Sequence, residues 1–263
     1  MFAEERQAEI AELVSTSRRV NGAELARRFD VTMETVRRDL AALEAAGRVR
    51  RVHGGAVSVD QSTSDEKNIH NRQHLNTPEK RRIAEAAFRL LRASGAGAVV
   101  LDAGSTVEAL ADLIVRSDST LPDGQEQLIV THALHIAAKL ADANGIGLEL
   151  VGGRVRKLTW AAAGGRAAEH YLRLRPDLAF VGCNGIHAQF GLSTPDPIEA
   201  VVKTAIVQTS RRVVVLCDSA KHDQETLMHF ASLADIDTLI TDRAPGPELA
   251  AALEEADVEV VLA

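Results

Sequence analysis

Seven short apolar runs, separated by segments of helical character, constrain the fold of this 263-residue chain more than any other feature of its sequence. Several runs are apolar on both faces, which is typical of strands in a sheet that helices cover on each side. The alternation predicts an α/β fold with a mostly parallel sheet, flanked by helices such as residues 80–92 and 105–115. The predicted strands cover residues 98–101, 128–130, 148–151, 178–181, 213–216, 238–240 and 258–261.

A different pattern occupies the N-terminal part of the chain, where paired arginines lie opposite an apolar stripe. Thr32 is the predicted N-cap of a helix, and Val36 and Leu40 lie one turn apart on its apolar face. Arg37 and Arg38 fall on the other face, from which guanidinium groups reach guanine edges or phosphates in a major groove. The spacing predicts a DNA-recognition helix, and a solvated surface helix is the alternative.

The surrounding residues favour the DNA-binding interpretation. Two further amphipathic helices are predicted at about residues 4–15 and 23–29, which gives a tri-helical unit with its own small core. Residues 48–55 then alternate basic and apolar side chains and end in a glycine pair, which predicts a basic β-wing. The candidate DNA-binding residues are Thr32, Glu34, Thr35, Arg37, Arg38, Arg48, Arg50, Arg51 and His53.

Charge is unevenly distributed along the chain. The whole sequence has a formal net charge of −7. Residues 1–56 contain ten arginines, no lysine and nine carboxylates, so this part stands at +1 and the remainder at −8. Because a phosphate backbone responds to the local field, the overall acidity does not exclude nucleic acid as a partner.

The N-terminal pattern resembles the DeoR family of bacterial transcriptional regulators, with its spacing kept over some fifty residues. The resemblance is carried by Arg6, Glu24-Leu25-Ala26, Val31-Thr32, Thr35-Val36-Arg37-Arg38-Asp39-Leu40, Leu43, Gly47 and Arg51-Val52-His53-Gly54-Gly55-Ala56. It implies a winged helix-turn-helix repressor whose second domain binds a phosphorylated sugar or related metabolite. That domain is similar in fold to ribose-5-phosphate isomerase and glucosamine-6-phosphate deaminase.

Domain boundaries follow from composition. Residues 60–68 are polar, with almost no apolar anchor. We expect a winged helix-turn-helix domain at 1–56, a linker at 57–76 and an effector-binding and oligomerisation domain at 77–263. Within the linker, residues 69–75 are also able to pack as an arm against the second domain.

The loops that follow the predicted strands are polar, and ligands of open parallel sheets bind beyond the carboxyl ends of strands. Asp102 to Thr106 form a turn in which Gly104 allows close approach and Ser105 opens a helix whose free N–H groups attract an anion. This predicts a phosphate cradle, although Ser105 alone is equally suited to cap the helix. Asp102 is assigned to sugar hydroxyls or to holding the turn, because it would repel a phosphate.

Further candidates occur at the same edge. Thr131 and His132 are placed to hydrogen-bond the ligand, and the alternative is that they simply end a strand. Lys221 is the best cationic partner for the phosphate outside the cradle, and the alternative is a solvated lysine. Glu199 and Lys203 lie four residues apart on a helix and are able to pair at its surface. The family resemblance places them in the effector site instead. The candidate effector residues are Lys80, Asp102, Gly104, Ser105, Thr106, Thr131, His132, Gly152, Gly153, Gly185, Glu199, Lys203, Asp218 and Lys221.

Two departures from the family pattern bear on ligand identity. His132 stands where the family has Asn after the threonine, and His187 stands where an acidic residue is frequent. These two histidines bear on which ligand we expect the second domain to bind, whereas the expected fold is unchanged.

Composition narrows the remaining possibilities. Cys183 and Cys217 each end an apolar run without a neighbouring ligand residue, so we expect buried thiols in a reducing cytoplasm, no metal site and no cofactor. The first residues lack the pattern of an export signal, and no apolar run is long enough to span a membrane.

Three function classes remain from the sequence. The first is a metabolite-responsive repressor of sugar metabolism genes, a homo-oligomer with an operator DNA and a phosphorylated sugar as partners. The second is a sugar-phosphate isomerase or deaminase, for which Asp102, Glu199 and Asp218 are available as bases. The third is a constitutive DNA-binding protein whose second domain only oligomerises.

Overall fold

The computed structural model describes residues 3–17, 19–52, 54–58, 69–117, 119–121 and 123–263. The chain forms two compact units, Met1–Asp65 and Glu66–Ala263. Each unit has a hydrophobic core of its own.

The first unit contains the three predicted helices and a small antiparallel sheet. Its elements are α1 (Ala3–Ser17), β1 (Arg19–Asn21), α2 (Gly22–Phe29), α3 (Met33–Ala45), β2 (Val49–Val52) and β3 (Gly55–Ser58). Strands β2 and β3 form the predicted wing as a hairpin, and β1, which was not predicted, adds to its other side in the order β1-β3-β2.

Helix α3 begins and packs as its sequence predicts. The Thr32 hydroxyl accepts from the Thr35 N–H at 3.2 Å, which caps the helix. Val36, Leu40 and Leu43 are buried in the core that the three helices share. This packing turns the opposite face of α3 outward.

The second unit carries all seven predicted strands in one sheet. Its helices are α4 (Ile69–Gln73), α5 (Thr77–Ser94), α6 (Ser105–Val115), α7 (Leu134–Leu140), α8 (Gly165–Tyr171), α9 (Pro197–Thr209) and α10 (Pro247–Glu255). Its strands are β4 (Ala98–Leu101), β5 (Gln127–Thr131), β6 (Ile146–Leu150), β7 (Arg154–Arg156), β8 (Ala161–Ala163), β9 (Leu178–Gly182), β10 (Gly185–His187), β11 (Gly191–Thr194), β12 (Val213–Leu216), β13 (Met228–Ala231), β14 (Thr238–Thr241) and β15 (Glu259–Leu262).

The large sheet is parallel throughout, in the order β15-β14-β12-β9-β4-β5-β6. Alternate residues of a central strand enter different cores: Val99 and Leu101 pack on one side with α5, α6 and α7, and Val100 packs on the other with α8, α9 and α10. The α/β fold predicted from the apolar runs is confirmed. Because β4 lies between β9 and β5, the loops that follow these three strands meet at one edge.

Smaller elements surround this edge. Strands β10, β11 and β13 form a second sheet, and β7 and β8 form a hairpin. The sequence analysis assigned residues 57–76 to a linker, whereas β3 extends to Ser58 and α4 begins at Ile69. None of the helices in the described part of the chain combines the length and the apolar character that crossing a membrane requires.

Candidate DNA-binding and ligand-binding sites

The outward face of α3 presents the two arginines predicted to read DNA. The side chains of Arg37 and Arg38 are 68% and 81% exposed. Both approach the Glu34 carboxylate, at 3.9 Å for Arg37 and 3.6 Å for Arg38. Exposed ion pairs of this kind contribute little to stability, so the guanidinium groups are free to exchange this carboxylate for a phosphate or a base edge.

A buried ion pair fixes the recognition helix from behind. The Asp39 carboxylate accepts from Arg6 Nε at 2.6 Å and from Gln7 Nε2 at 2.9 Å. Arg6 belongs to α1, so this pair ties α1 to α3. Asp39 and Arg6 stand within the family pattern, but sequence spacing alone does not show that they meet.

The remaining candidate DNA-binding residues are placed as follows. Arg48 is exposed just before β2 and Arg51 is exposed within it, and the backbone N–H of Arg51 donates to the Glu44 carboxylate at 2.8 Å. The hydroxyls of Thr32 and Thr35 lie 2.9 Å apart at the start of α3. The Arg50 side chain and His53 lie outside the described residues.

In the second unit, a buried ion pair joins the loops at the carboxyl edge of the sheet. The Lys203 ammonium of α9 donates to the Asp102 carboxylate and, at 2.8 Å, to the Gly182 carbonyl. The same carboxylate accepts from the Gly182 N–H at 2.9 Å. Asp102 therefore holds the turn, which is one of its two predicted roles.

Glu199 and Lys203 do not pair at the helix surface, so that alternative is wrong. Both are buried, and the Glu199 carboxylate accepts from the Thr159 hydroxyl and from Arg156 Nη1 at 3.4 Å. They face a recess that contains about 10 Å³ of free volume. The recess is lined by Ile69, Arg72, Ala103, Gly104, Thr159, Gly182, Asn184, Glu199 and Lys203.

The predicted phosphate cradle lies at the N-terminus of α6. Gly104, not Ser105, is the N-cap residue, so the interpretation of Ser105 as the capping side chain is wrong. Gly104 has φ +156° and ψ 151°, a conformation in which side chains are rare. Ser105 and Lys80 line a cleft of about 430 Å³ that also includes Arg81 and Glu108.

Lys80 is a buried cation at this cleft. Its ammonium donates to the backbone carbonyls of Arg72 and, at 2.6 Å, Leu75. Burial, together with the charge of Lys221, lowers the pKa of Lys80 to about 8. The group is cationic at neutral pH and close to losing its proton, which is unusual for a lysine.

Lys221 lies near this cation and is paired within the protein. Its ammonium is 3.4 Å from the Asp218 carboxylate, which also accepts from Asn76 Nδ2 at 2.9 Å. Although burial opposes ionisation, Lys221, Asn76 and Lys80 together lower the pKa of Asp218 below its ordinary value. Lys221 is therefore a paired, partly buried lysine and not a solvated one.

Thr131 and His132 are used inside the fold. The Thr131 hydroxyl donates to the Leu101 carbonyl at 2.7 Å, and His132 Nδ1 lies 3.0 Å from the Tyr171 hydroxyl. Burial lowers the pKa of His132 to about 4, so the ring is neutral at physiological pH. As the described residues define them, the recess and the cleft are lined by neither side chain.

The remaining candidates are backbone positions and one buried hydroxyl. A side chain at Gly185 would place its Cβ 2.3 Å from the Gln224 carbonyl oxygen, so this glycine is required by packing. Gly152 and Gly153 are exposed after β6 and are not among the residues that line the recess. Thr106 is buried in the first turn of α6.

The sequence analysis missed several residues of the recess. Thr159 comes from the turn of the β7–β8 hairpin, and Asn184 follows β9. Arg156 of the same hairpin does not line the recess but donates to Glu199. Ile69 and Arg72 come from α4, inside the predicted linker. The sequence signalled α4 only as the possible arm at residues 69–75. It did not show which surface Ile69 covers, because an isolated apolar residue does not identify its contact partner.

Comparisons with known proteins agree across both units. Residues 6–62 match the DeoR-like helix-turn-helix domain, and residues 75–243 match the DeoR C terminal sensor domain. The chain is 31% identical to the uncharacterized HTH-type transcriptional regulator YulB of Bacillus subtilis, over 99% of this chain and 96% of the relative. It is 34% identical to the HTH-type transcriptional regulator GlpR of Haloferax volcanii, over 99% of this chain and 98% of the relative.

A further relative is named for a sugar. The chain is 30% identical to the L-fucose operon activator of Haemophilus influenzae, over 96% of this chain and 97% of the relative. All three relatives are named as regulators of gene expression, which does not support the isomerase or deaminase alternative.

Solved structures resemble this chain only distantly. The full-length sorbitol operon regulator SorC from Klebsiella pneumoniae has a TM-score of 0.38 at 12% identity, over 97% of this chain and 95% of that chain. Ribose 5 phosphate isomerase A from Neisseria gonorrhoeae has a TM-score of 0.36 at 14% identity, over 54% of this chain and 52% of that chain. These values carry no functional argument.

Proposed function

The chain belongs to the DeoR family of transcriptional regulators, and we propose that it represses sugar metabolism genes by binding operator DNA. The observation that carries this proposal is the pair of exposed arginines, Arg37 and Arg38, on a helix that is capped at Thr32 and fixed from behind by Asp39. A helix held in this way presents long cationic donors at a defined spacing, as major-groove recognition requires.

The proposed effector is a phosphorylated sugar bound at the carboxyl edge of the large sheet. Support comes from the N-terminus of α6 at Gly104, which offers free N–H groups to an anion, and from Lys80 beside it. Glu199 and Lys203 at the recess supply polar groups suited to sugar hydroxyls. The name of the L-fucose operon relative is consistent with a sugar-related signal.

We propose that dimers or tetramers, formed through the second unit, hold two DNA-binding units at the spacing of repeated half-sites. Ligand binding changes that spacing. A coupling free energy of about 1–3 kcal/mol between effector and DNA is sufficient to change operator occupancy severalfold.

The test is a fluorescence-anisotropy titration of the protein on the DNA upstream of its own gene, at fixed salt, with and without a pool of sugar phosphates. Salt is held constant because phosphate contacts make affinity depend steeply on ionic strength. Specific binding whose affinity changes when the sugar phosphates are added supports a metabolite-responsive regulator. Specific binding that ignores the pool favours a constitutive DNA-binding protein.

The same titration with R37A and R38A tests the recognition helix. Each variant should lose about 1–3 kcal/mol of binding free energy, and the one that reads a base should also relax sequence preference. R89A is the matched control, since Arg89 is an exposed arginine of α5 in the other unit. Unchanged affinity in both R37A and R38A would remove α3 as the recognition element.

A further inference from the structure

Residues 69–76, here called the strap, connect to α5 and cover part of the candidate ligand site. The strap contains α4 and the short turn that follows it. Ile69 is fully buried, and its N–H donates to the Leu158 carbonyl at 2.9 Å. Ile69 and Arg72 form the strap's side of the recess that Glu199 and Lys203 face.

The recess is closed in this structure. Its free volume of about 10 Å³ is close to the space of one water molecule, whereas ligand pockets generally enclose at least about 300 Å³. A sugar bound in this recess therefore requires one wall to move. The other walls are strand-end loops, the hairpin residue Thr159 and α9, which belong to the body of the unit, so the strap is the wall most able to yield.

Polar contacts at its C-terminal half attach the strap. Gln73 Nε2 donates to Glu108 Oε2 at 2.7 Å, and Asn76 Nδ2 donates to Asp218 Oδ1 at 2.9 Å. The third attachment is the Lys80 ammonium, which is bound by two strap carbonyls. Side chains at the candidate ligand site thus hold the strap in place.

We infer that Lys80 exchanges between the strap carbonyls and the phosphoryl group of a bound ligand, and that this exchange releases the strap. The inference rests on the proposed function, because it needs an anion at the N-terminus of α6. Lys80 and Ser105 line the same cleft, and the inference places the phosphoryl group of the ligand in it. A charge-assisted bond to a phosphoryl oxygen is stronger than a bond to a neutral carbonyl, which favours the exchange.

In sequence, the strap is the part of the second unit nearest to the DNA-binding unit. Its release would therefore connect phosphoryl binding with the segment of chain that leads to the DNA-binding unit.

Hydrogen exchange of the full-length protein, followed by mass spectrometry, tests this inference with inorganic phosphate as the probe. Chloride at equal ionic strength is the control. Phosphate should raise the exchange rate of the strap peptide at least about threefold while it protects the start of α6. An unchanged strap under saturating phosphate would overturn the inference.

Variants separate the role of Lys80 from general destabilisation. K80M should show the raised strap exchange without phosphate and no further response to it, whereas K157M, at an exposed lysine of the same unit, should behave as the unsubstituted protein. Strap exchange that is unchanged in K80M would contradict the assignment.

A second variant tests the strap without altering Lys80. Q73A combined with N76A removes two attachments, so phosphate affinity measured by calorimetry should rise severalfold because less attachment must be broken on binding. Unchanged or lowered affinity would count against the strap as a barrier. If phosphate binds and strap exchange does not change, only this inference fails; if phosphate does not bind at all, the proposed effector site fails with it.

Discussion

At the scale of single residues, two buried ion pairs join charges that are distant in sequence. Asp39 binds Arg6 across 33 positions, and Lys203 binds Asp102 across 101 positions. A buried charge without its partner is strongly unfavourable, so each pair constrains the elements that carry it. One pair fixes α3, and the other fixes the carboxyl edge of the large sheet.

The Asp39 pair gives a test of this role. D39N should lower the free energy of opening of the α3 amides by about 2 kcal/mol, because Arg6 keeps a buried charge without a carboxylate. Hydrogen exchange of α3 in the full-length protein measures it. E34Q is the control, since Glu34 is exposed and its loss should change the opening free energy by less than about 0.5 kcal/mol. Equal effects in the two variants would show that the pair does not fix the helix.

Lys80 predicts how ligand affinity depends on pH. Its pKa of about 8 means that the ammonium loses its proton as pH rises above 8, so phosphate affinity should fall by up to about tenfold per pH unit there. Calorimetry at pH 7, 8 and 9 measures this fall. K80M should bind more weakly at pH 7 and lose the fall in affinity between pH 8 and 9, whereas K157M should keep that fall. A slope that persists in K80M would assign the titration to another group.

The same pKa has a consequence for folding. Because the unfolded chain keeps the proton of Lys80 up to about pH 10.5, it binds more protons than the folded state between pH 8 and 10.5. The contribution of Lys80 to stability therefore rises with pH in that window. Below pH 8 its buried charge opposes folding.

At the scale of elements, the large sheet, the helices α5 and α6 and the β2–β3 wing were predictable from the sequence, whereas the other short strands were not. Strands such as β9 are apolar on both faces, and this pattern is visible in the sequence. Strands β1, β7 and β8 have three residues each, too few for a period to emerge. Their existence depends on pairing with residues elsewhere in the chain.

The two glycines Gly185 and Gly152 show how an element constrains a residue. Both were predicted as effector residues, but a Cβ at Gly185 would lie 2.3 Å from the Gln224 carbonyl oxygen, and a Cβ at Gly152 would meet nothing within 4 Å. G185A should lower the free energy of unfolding by about 2 kcal/mol, because β10 must move away from that backbone. G152A should change it by less than about 0.5 kcal/mol. Urea unfolding followed by circular dichroism compares them, and equal stability would refute the packing role.

At the scale of the whole molecule, a sugar phosphate and operator DNA must change each other's binding affinity equally if the two sites are coupled. When a sugar phosphate changes DNA affinity by a given factor, operator DNA must change the affinity for that sugar phosphate by the same factor. Anisotropy measures the first and calorimetry on the protein–DNA complex measures the second. Q73A combined with N76A should reduce both factors together, because the strap is then already loosened. Unequal factors would indicate that a third process, such as a change of oligomeric state, contributes.

The sequence by itself determined the class of each unit, the seven strands, the capped recognition helix and its wing, because periodicity and capping are local properties of the chain. The tertiary structure decided which charges meet. Since β4 lies beside both β9 and β5, Asp102 reaches Gly182 and Lys203, and no local pattern contains that order. It likewise decided that Thr131 and His132 turn inward and that Ile69 and Arg72 line the recess that Glu199 and Lys203 face. Burial follows from local pattern, whereas the partner of a buried polar group depends on how the chain crosses from strand to strand.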